Sequence, residues 1–271
     1  MKIPNLRKAV YPLFLILVIL WLGACSRTNE GVIPDGPQQL TFPNCELLKV
    51  DNTDLFGLSQ SYLYQYEGGR LVQTDFYNKE QFNARKVFTY DDQGNLTYML
   101  GQNDTLSNTK DTIVAYEFTN GLLSKYIHYD PFSKEVLTTT EYIYANGFLA
   151  TIRVINKENN VDKVVDFEVD TDKKGNPTRI KLITVDGMAP PTALERFYEY
   201  DDQLNPYYKV PDFIDLSYFT QNNIVKTTEV LNGQTTVEKI AFEYYTHGLV
   251  QKRSSQTGQG AFISTFTYHC K

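Results

Sequence analysis

The chain has 271 residues, 42% of them hydrophobic and 14% aromatic, with 26 Lys+Arg against 32 Asp+Glu and a formal charge of −6. That length suits one large β domain or two small ones. An acidic chain without a Lys/Arg cluster repels phosphate backbones, which excludes nucleic acid as a partner and argues against broad adhesion to anionic headgroups.

Residues 1–24 read as a secretory signal. Lys2, Arg7 and Lys8 precede an apolar run from Val10 to Leu22. The run is about 13 residues, short of the ~20 that a spanning helix needs. It ends in Leu22-Gly23-Ala24-Cys25. That ending resembles the lipobox of bacterial lipoproteins, which implies that Cys25 is the lipidation site and the mature N-terminus. The chain is then expected in the cell envelope, tied by lipid to a membrane, with the outer membrane as the expected one and its face open. Cleavage removes three basic residues and no acidic one, leaving 23 basic against 32 acidic and a formal charge of −9.

Residues 25–43 form the lipidated tether, polar and broken by Pro34, Gly36, Pro37 and Pro43. A coil of this length reaches about 23 Å. Two cysteines remain, Cys45 and Cys270, in a compartment where disulfides persist. A bond between them would tie the first strand to the last; two separate small hydrophobes is the other reading.

Residues 44–271 are expected to form a single all-β domain. Two alternating aromatics, a polar turn and an apolar restart recur along it. Examples are Tyr64-Gln65-Tyr66 before Gly68-Gly69 and Leu71, Phe88-Thr89-Tyr90 before Gly94-Asn95-Leu96, and Tyr142-Ile143-Tyr144 before Asn146-Gly147-Phe148. Later copies put turns at Asn205-Pro206, at Asn222-Asn223 after Tyr218-Phe219, and at His247-Gly248. Period-two aromatics suit a pleated surface, and Asn-Gly supplies the φ > 0 that tight hairpin turns need. A fixed repeat of this size means copies of one supersecondary unit. Longer connections are expected between hairpins, at Asn78–Arg85, Gln102–Thr112, Asp130–Glu135, Asn156–Lys163, Thr184–Thr192 and Leu231–Thr236. Short turns then cluster at one rim and long loops at the other. Pro211–Leu216 could make one short helical turn. The count gives an antiparallel up-and-down meander of roughly 16–18 strands, beyond the ~10 that an open twisted sheet sustains, so a closed or flattened barrel is predicted.

Tyr90-Asp91-Asp92-Gln93-Gly94-Asn95-Leu96 resembles the core of YD repeats, and Tyr200-Asp201-Asp202-Gln203-Leu204-Asn205-Pro206 is a weaker copy. Together with Asn205-Pro206-Tyr207 and Asn222-Asn223-Ile224-Val225-Lys226, the chain from about residue 45 resembles a family of Gram-negative lipoproteins of unknown function described as porin-like. The resemblance implies a β-meander shell and brings no catalytic residues. A transmembrane porin does not follow from it. The lipobox already supplies an anchor, and stretches such as Lys125-Tyr126-Ile127-His128 place charges on both strand faces, which a lipid-facing band tolerates poorly.

The chemistry-bearing candidates reduce to structure. Asp91-Asp92 and Asp201-Asp202 fall at repeat turns, where Asp bonds its own backbone. Asp170-Thr171-Asp172-Lys173-Lys174-Gly175 departs from a calcium loop at its ligand positions. His128, His247 and His269 show no metal spacing, so no metal or cofactor is expected. The tyrosines and phenylalanines are read as cross-strand ladders that hold the sheet. The expected function is a non-catalytic binding or scaffold module that meets a protein or glycan through its long-loop rim. A glycan-acting envelope hydrolase, which needs converging carboxylates, and a lumenal carrier of a hydrophobic ligand are the alternatives.

Overall fold

The computed structural model of the chain describes residues 45–54, 57–103, 111–158, 161–212, 214–257 and 260–270. The signal, Cys25 and the 25–43 tether lie outside them, as does most of the Gln102–Thr112 connection. Sixteen strands follow one another: β1 (Cys45–Asp54), β2 (Ser59–Glu67), β3 (Arg70–Asn78), β4 (Gln81–Tyr90), β5 (Leu96–Asn103), β6 (Asp111–Thr119), β7 (Leu122–Tyr129) and β8 (Val136–Ala145). The second half continues with β9 (Phe148–Glu158), β10 (Val161–Thr171), β11 (Pro177–Val185), β12 (Leu194–Leu204), β13 (Asn222–Leu231), β14 (Gln234–Tyr244), β15 (Val250–Thr257) and β16 (Gly260–Cys270). Each strand pairs antiparallel with its sequence neighbours, and β16 returns to β1, so the sheet is a closed up-and-down barrel. Closure removes the unpaired edges that a sheet this wide would otherwise expose.

Paired residues share a face of the sheet, and faces alternate along each strand. Val50 lies opposite Tyr62 and Phe266, and Tyr62 lies opposite Phe76; these rings and their equivalents point into the lumen. The residues between them point out. Lys49, Arg85, Lys125, Arg153, Lys181, Lys226 and Lys252 are such positions, and each forms an ion pair on the outer surface. Lys125 sits between Glu117 and Glu141 on the two flanking strands, at 3.9 and 3.6 Å. Near the repeat turns the barrel is aromatic inside, and its outer surface carries the ion pairs.

The repeat turns line one rim. Asn120 (φ 52°) with Gly121 (φ 74°), and Asn146 (φ 55°) with Gly147 (φ 81°), are two-residue turns with both centres left-handed, the geometry that matches strand twist. At Asp91 and Asp172 the turn is longer, and the carboxylate closes it. Asp91 Oδ1 accepts the backbone N–H of Gln93 and Asn95, and Asp172 Oδ1 accepts those of Lys174 and Asn176. The aspartates of the repeat are turn staples, and Asp172 uses in its own turn the oxygen that a calcium loop would need.

The residue that restarts each strand is driven into the lumen: Leu71, Leu96, Leu123, Leu149 and Val250 are all buried. The repeat tyrosine latches onto it from the next hairpin. Tyr90 Oη donates to the Leu71 carbonyl at 2.7 Å, Tyr144 Oη to Leu123 at 2.8 Å, and Tyr200 Oη to Pro177 at 2.5 Å. The aromatic repeat therefore works as a hydrogen-bonded ring as well as an apolar ladder.

Two expectations need correction. The connections at Asn78–Arg85 and Leu231–Thr236 are not long loops. β3 and β4 meet across Lys79-Glu80 (φ 49° and 66°), and β13 and β14 across Asn232-Gly233, both tight turns. Nor are Asn205-Pro206 and Asn222-Asn223 two hairpin turns. They are the two ends of one long connection between β12 and β13, and Tyr218-Phe219 belongs to a short helix, α1 (Leu216–Phe219), rather than to a strand. The longest insertion thus sits on the short-turn rim.

Candidate functional site

That 205–221 connection folds into the barrel as a plug. Tyr207, Val210, Ile214, Tyr218 and Phe219 pack into the lumenal core. The Phe219 ring packs at a tilt against Tyr142 of β8 (4.7 Å between ring centres), and Tyr207 against Phe266 of β16 (5.7 Å), so the plug bridges opposite walls. The Tyr116 hydroxyl donates to the Pro211 carbonyl, and Lys86 reaches in from β4 to Asp212 at 2.5 Å. Asp212 has no exposed side-chain surface, so this ion pair is fully sealed on the acid side. A buried carboxylate without such a partner would be costly.

Polar residues clamp both ends of the plug. Asn205 Nδ2 donates to the Ser217 and Thr220 carbonyls, and its Oδ1 accepts the Tyr207 N–H. Asn176, from the Asp172 turn, accepts the Gln221 and Asn222 N–H groups and donates to Asn222 Oδ1. Asp201 holds the Asn223 N–H and side-chain amide and accepts the Tyr244 hydroxyl. Asn176, Asn205, Asn222, Asn223 and Thr220 are all buried. This belt explains why the sequence places asparagine at both boundaries of the segment.

Between the plug and the far rim lies a cup of about 500 Å³. Its floor includes Tyr207, Asp215 and Ser217. Its walls carry Arg196, Glu229, Glu238, Arg253, Phe242 and Phe266. Strand parity turns these charges inward: Arg196 is opposite Ile180 and Glu229, Glu238 is opposite Thr227, and Arg253 is opposite Phe242. Arg196 pairs with Glu229 at 2.6 Å. Among the described residues, Arg253 and Glu238 form no ion pair. Asp215 Oδ1 is taken by the Ser217 N–H.

Three carboxylates, Asp215 on the floor and Glu229 and Glu238 on the wall, therefore line the cavity. Glu229 and Glu238 are on adjacent strands of one wall but two residues out of register, Glu229 opposite Thr236 and Glu238 opposite Thr227, and Glu229 is clamped by Arg196. Acid/base hydrolysis needs a carboxylate pair flanking the bond; here Arg196 holds Glu229 and the Ser217 N–H takes one oxygen of Asp215. A hydrophobic cargo also fits poorly, because the open part of the lumen carries the charges and the apolar part is filled by the plug.

Cys45 and Cys270 face each other in the first β1–β16 pair and are joined as a disulfide, at the same rim as the repeat turns. The cup and the plug went unread in the sequence. A signal for the cup exists, since Arg196 alternates with Tyr198 and Tyr200, and Glu238 with Ile240, Phe242 and Tyr244, which puts both charges on the aromatic face. Among the described residues, no cluster of three or more His, Cys, Asp or Glu could hold a metal ion.

No protein-family model and no curated protein matches this sequence. Among solved structures, the barrel is similar to a porin-like protein from Bacteroides vulgatus, with a TM-score of 0.53 and 13% identity over 83% of this chain and 98% of that one. It is also similar to a porin-like protein from Bacteroides uniformis, with a TM-score of 0.52 and 10% identity over 82% of this chain and 96% of that one. At these identities the likeness establishes what the topology already displays: the chain has a porin-like barrel fold.

Proposed function

We propose that the chain is a lipid-anchored, non-catalytic binding module of the cell envelope. Cys25 carries the acyl chains, residues 25–43 hold the barrel off the bilayer, and the barrel stands in water with its cup open to a small polar ligand. The outer belt of ion pairs is the observation that carries this reading. Charges at mid-strand around the circumference, from Lys49 to Lys252, leave no continuous apolar band for lipid. The porin-like neighbours are consistent with an envelope location. Inside the cup, the unpaired Arg253 beside Phe242 suits a carboxylate on a small ring-bearing molecule better than an apolar cargo.

Arg27 is the only Lys or Arg in the tether. Trypsin treatment of membranes holding the protein should cut there and release a folded barrel into detergent-free buffer. Palmitate label should stay with the membrane and be absent from a Cys25→Ser chain. A barrel that remains in the membrane until detergent is added overturns the proposal. Thermal-shift screening of the released barrel against uronic acids and amino acids then reads the cup, and Arg253→Gln should abolish any stabilisation found.

A further inference from the structure

A second cavity, of about 470 Å³, opens on the opposite side of the plug, at the repeat-turn rim. Its walls include Arg70, Lys209, Tyr90, Asn95, Phe118 and Tyr218. Both cations line it, and no acidic residue among those described does. Among the described residues, neither Arg70 nor Lys209 pairs with a carboxylate. Glu67 lies opposite Arg70 in register and forms no ion pair with it. The Asp91 carboxylate is committed to Gln93 and Asn95. In a chain this acidic, where so many outward cations are paired, two unpaired ones in one pocket stand out.

Both are held in place. The Arg70 guanidinium lies 5.7 Å from the Tyr90 ring centre and covers Gly94 so closely that an added Cβ there would collide with it. Lys209 has a left-handed backbone (φ 56°), which non-glycine residues adopt at a cost, and its N–H is pinned to the Tyr218 carbonyl. Burial pushes its ammonium below the usual lysine range, so the site holds a desolvated positive charge that an anion would relieve. The Tyr208 ring, whose centre is 5.3 Å from the Lys209 ammonium, offsets part of that cost, and an anion would offset more.

We propose that this rim pocket is an anion site that takes a phosphate ester, its charge between Arg70 and Lys209 and its organic part against Phe118 and Tyr218. Two cations with no acid suit a phosphate, which carries about −1.5 to −2 charges near neutral pH as a monoester and a single charge shared by two free oxygens as a diester. Arg offers the planar fork and Lys the point charge that such an oxyanion accepts. The pocket lies at the rim that also holds Cys45. The phosphate can therefore come from a lipid headgroup within reach of the tether, or from a soluble phosphorylated compound. The site is separate from the cup and does not depend on it.

The test is acylation of Lys209 in the full chain by an amine-reactive reagent, followed by mass spectrometry, with Lys157 and Lys239 as internal references. One arm adds inorganic phosphate or glucose 6-phosphate. The other adds vesicles of phosphatidylcholine alone or with phosphatidylglycerol. At a ligand concentration of about four Kd, mass action slows acylation at the site about five-fold, and the reference lysines should not change. Protection in the soluble arm assigns a soluble ester, and protection only with phosphatidylglycerol vesicles assigns a headgroup. Arg70→Gln, on an exposed rim position, should remove the protection without moving the urea midpoint. Equal acylation of Lys209 in every arm, or protection shared with the reference lysines, overturns the proposal, and either result can be read from the unsubstituted chain alone.

Discussion

The plug makes Asn205 the most informative position to perturb. Its side-chain amide reaches the Ser217 carbonyl at 2.8 Å, and the Thr220 carbonyl and hydroxyl each at 2.9 Å, while its oxygen accepts the Tyr207 N–H at 2.9 Å. Asn205→Ala keeps the backbone bond from Asn205 to the Gln221 carbonyl. It strands the Thr220 carbonyl and the Tyr207 N–H in a buried setting. Each stranded group costs about 1–3 kcal/mol, so the loss should be about 4 kcal/mol, a large share of the 5–15 kcal/mol that holds a typical domain. Asn205→Asp separates donor from acceptor. It keeps an oxygen for Tyr207 but turns a carboxylate oxygen toward the Thr220 carbonyl, and should lose at least as much. Urea unfolding followed by circular dichroism gives the loss, and limited proteolysis within 206–221 reports whether the plug opens before the barrel does. An alanine variant within about 1 kcal/mol of the parent, with proteolysis in 206–221 no faster, would refute the view that this belt holds the plug.

Two further outcomes follow from the same lumen. The Cys45–Cys270 bridge spans a sequence separation of 225, and closing so long a loop in the unfolded chain is worth up to about 5 kcal/mol. Non-reducing peptide mapping should recover the linked pair, and reduction should lower the urea midpoint; two free thiols in the mapping would count against it. The second outcome concerns alkaline pH. Burial raises the Tyr90 hydroxyl from 10.0 to about 12, against the opposing pull of Arg70, and burial likewise pushes up Tyr64, Tyr116 and Tyr142. A raised folded value means that the contribution is complete below pH 10 and is lost as pH climbs from 10 toward 12, because the unfolded chain releases its protons first. Tyr90 alone then accounts for a loss of about 3 kcal/mol across that interval. Absorbance at 295 nm should show the buried tyrosines ionising together with loss of the β circular dichroism signal. Ionisation of every tyrosine near pH 10, the buried ones included, with the barrel intact would contradict the burial argument.

The closed meander was legible because each hairpin announces itself locally. Asn120-Gly121 and Asn146-Gly147 require φ > 0 at both centres, and the alternating aromatics before them fix the period. Closure followed from strand number. The plug was not legible, since its ends imitate the repeat. Asn205-Pro206 and Asn222-Asn223 have turn composition, and Tyr218-Phe219 looks like one more aromatic pair. What sets them apart is tertiary: Asn176, on a neighbouring turn, supplies the oxygen for Gln221 and Asn222. The same holds for the cup. Charges on both faces of a strand argue against a lipid-facing band, but only register tells which face is the lumen. Once Phe242 and Arg253 are known to be partners, the inward charge is evident.

The plug also answers a problem that sixteen strands create. A barrel of that size leaves an aqueous channel when its inner wall is polar. Here the inner wall near the repeat rim is Leu71, Leu96, Leu123, Leu149 and Val250, with the aromatic residues beside them. Left open, that ring would face water at a cost of roughly 25 cal/mol for each Å² of apolar surface. This apolar surface faces the lumen rather than the outside of the barrel. Filling the lumen with chain is the remaining way to bury it, and 205–221 supplies Tyr207, Val210, Ile214, Tyr218 and Phe219 for that purpose. The insertion must also return beside the strand it left, since β13 pairs with β12, and both of its ends are clamped by buried asparagines rather than by apolar contacts alone. A consequence is that the two cavities are separated by the same segment. Any ligand that moved the plug from the cup side would alter the Arg70–Lys209 pocket, and Lys209 acylation in the presence of a cup ligand would reveal such coupling.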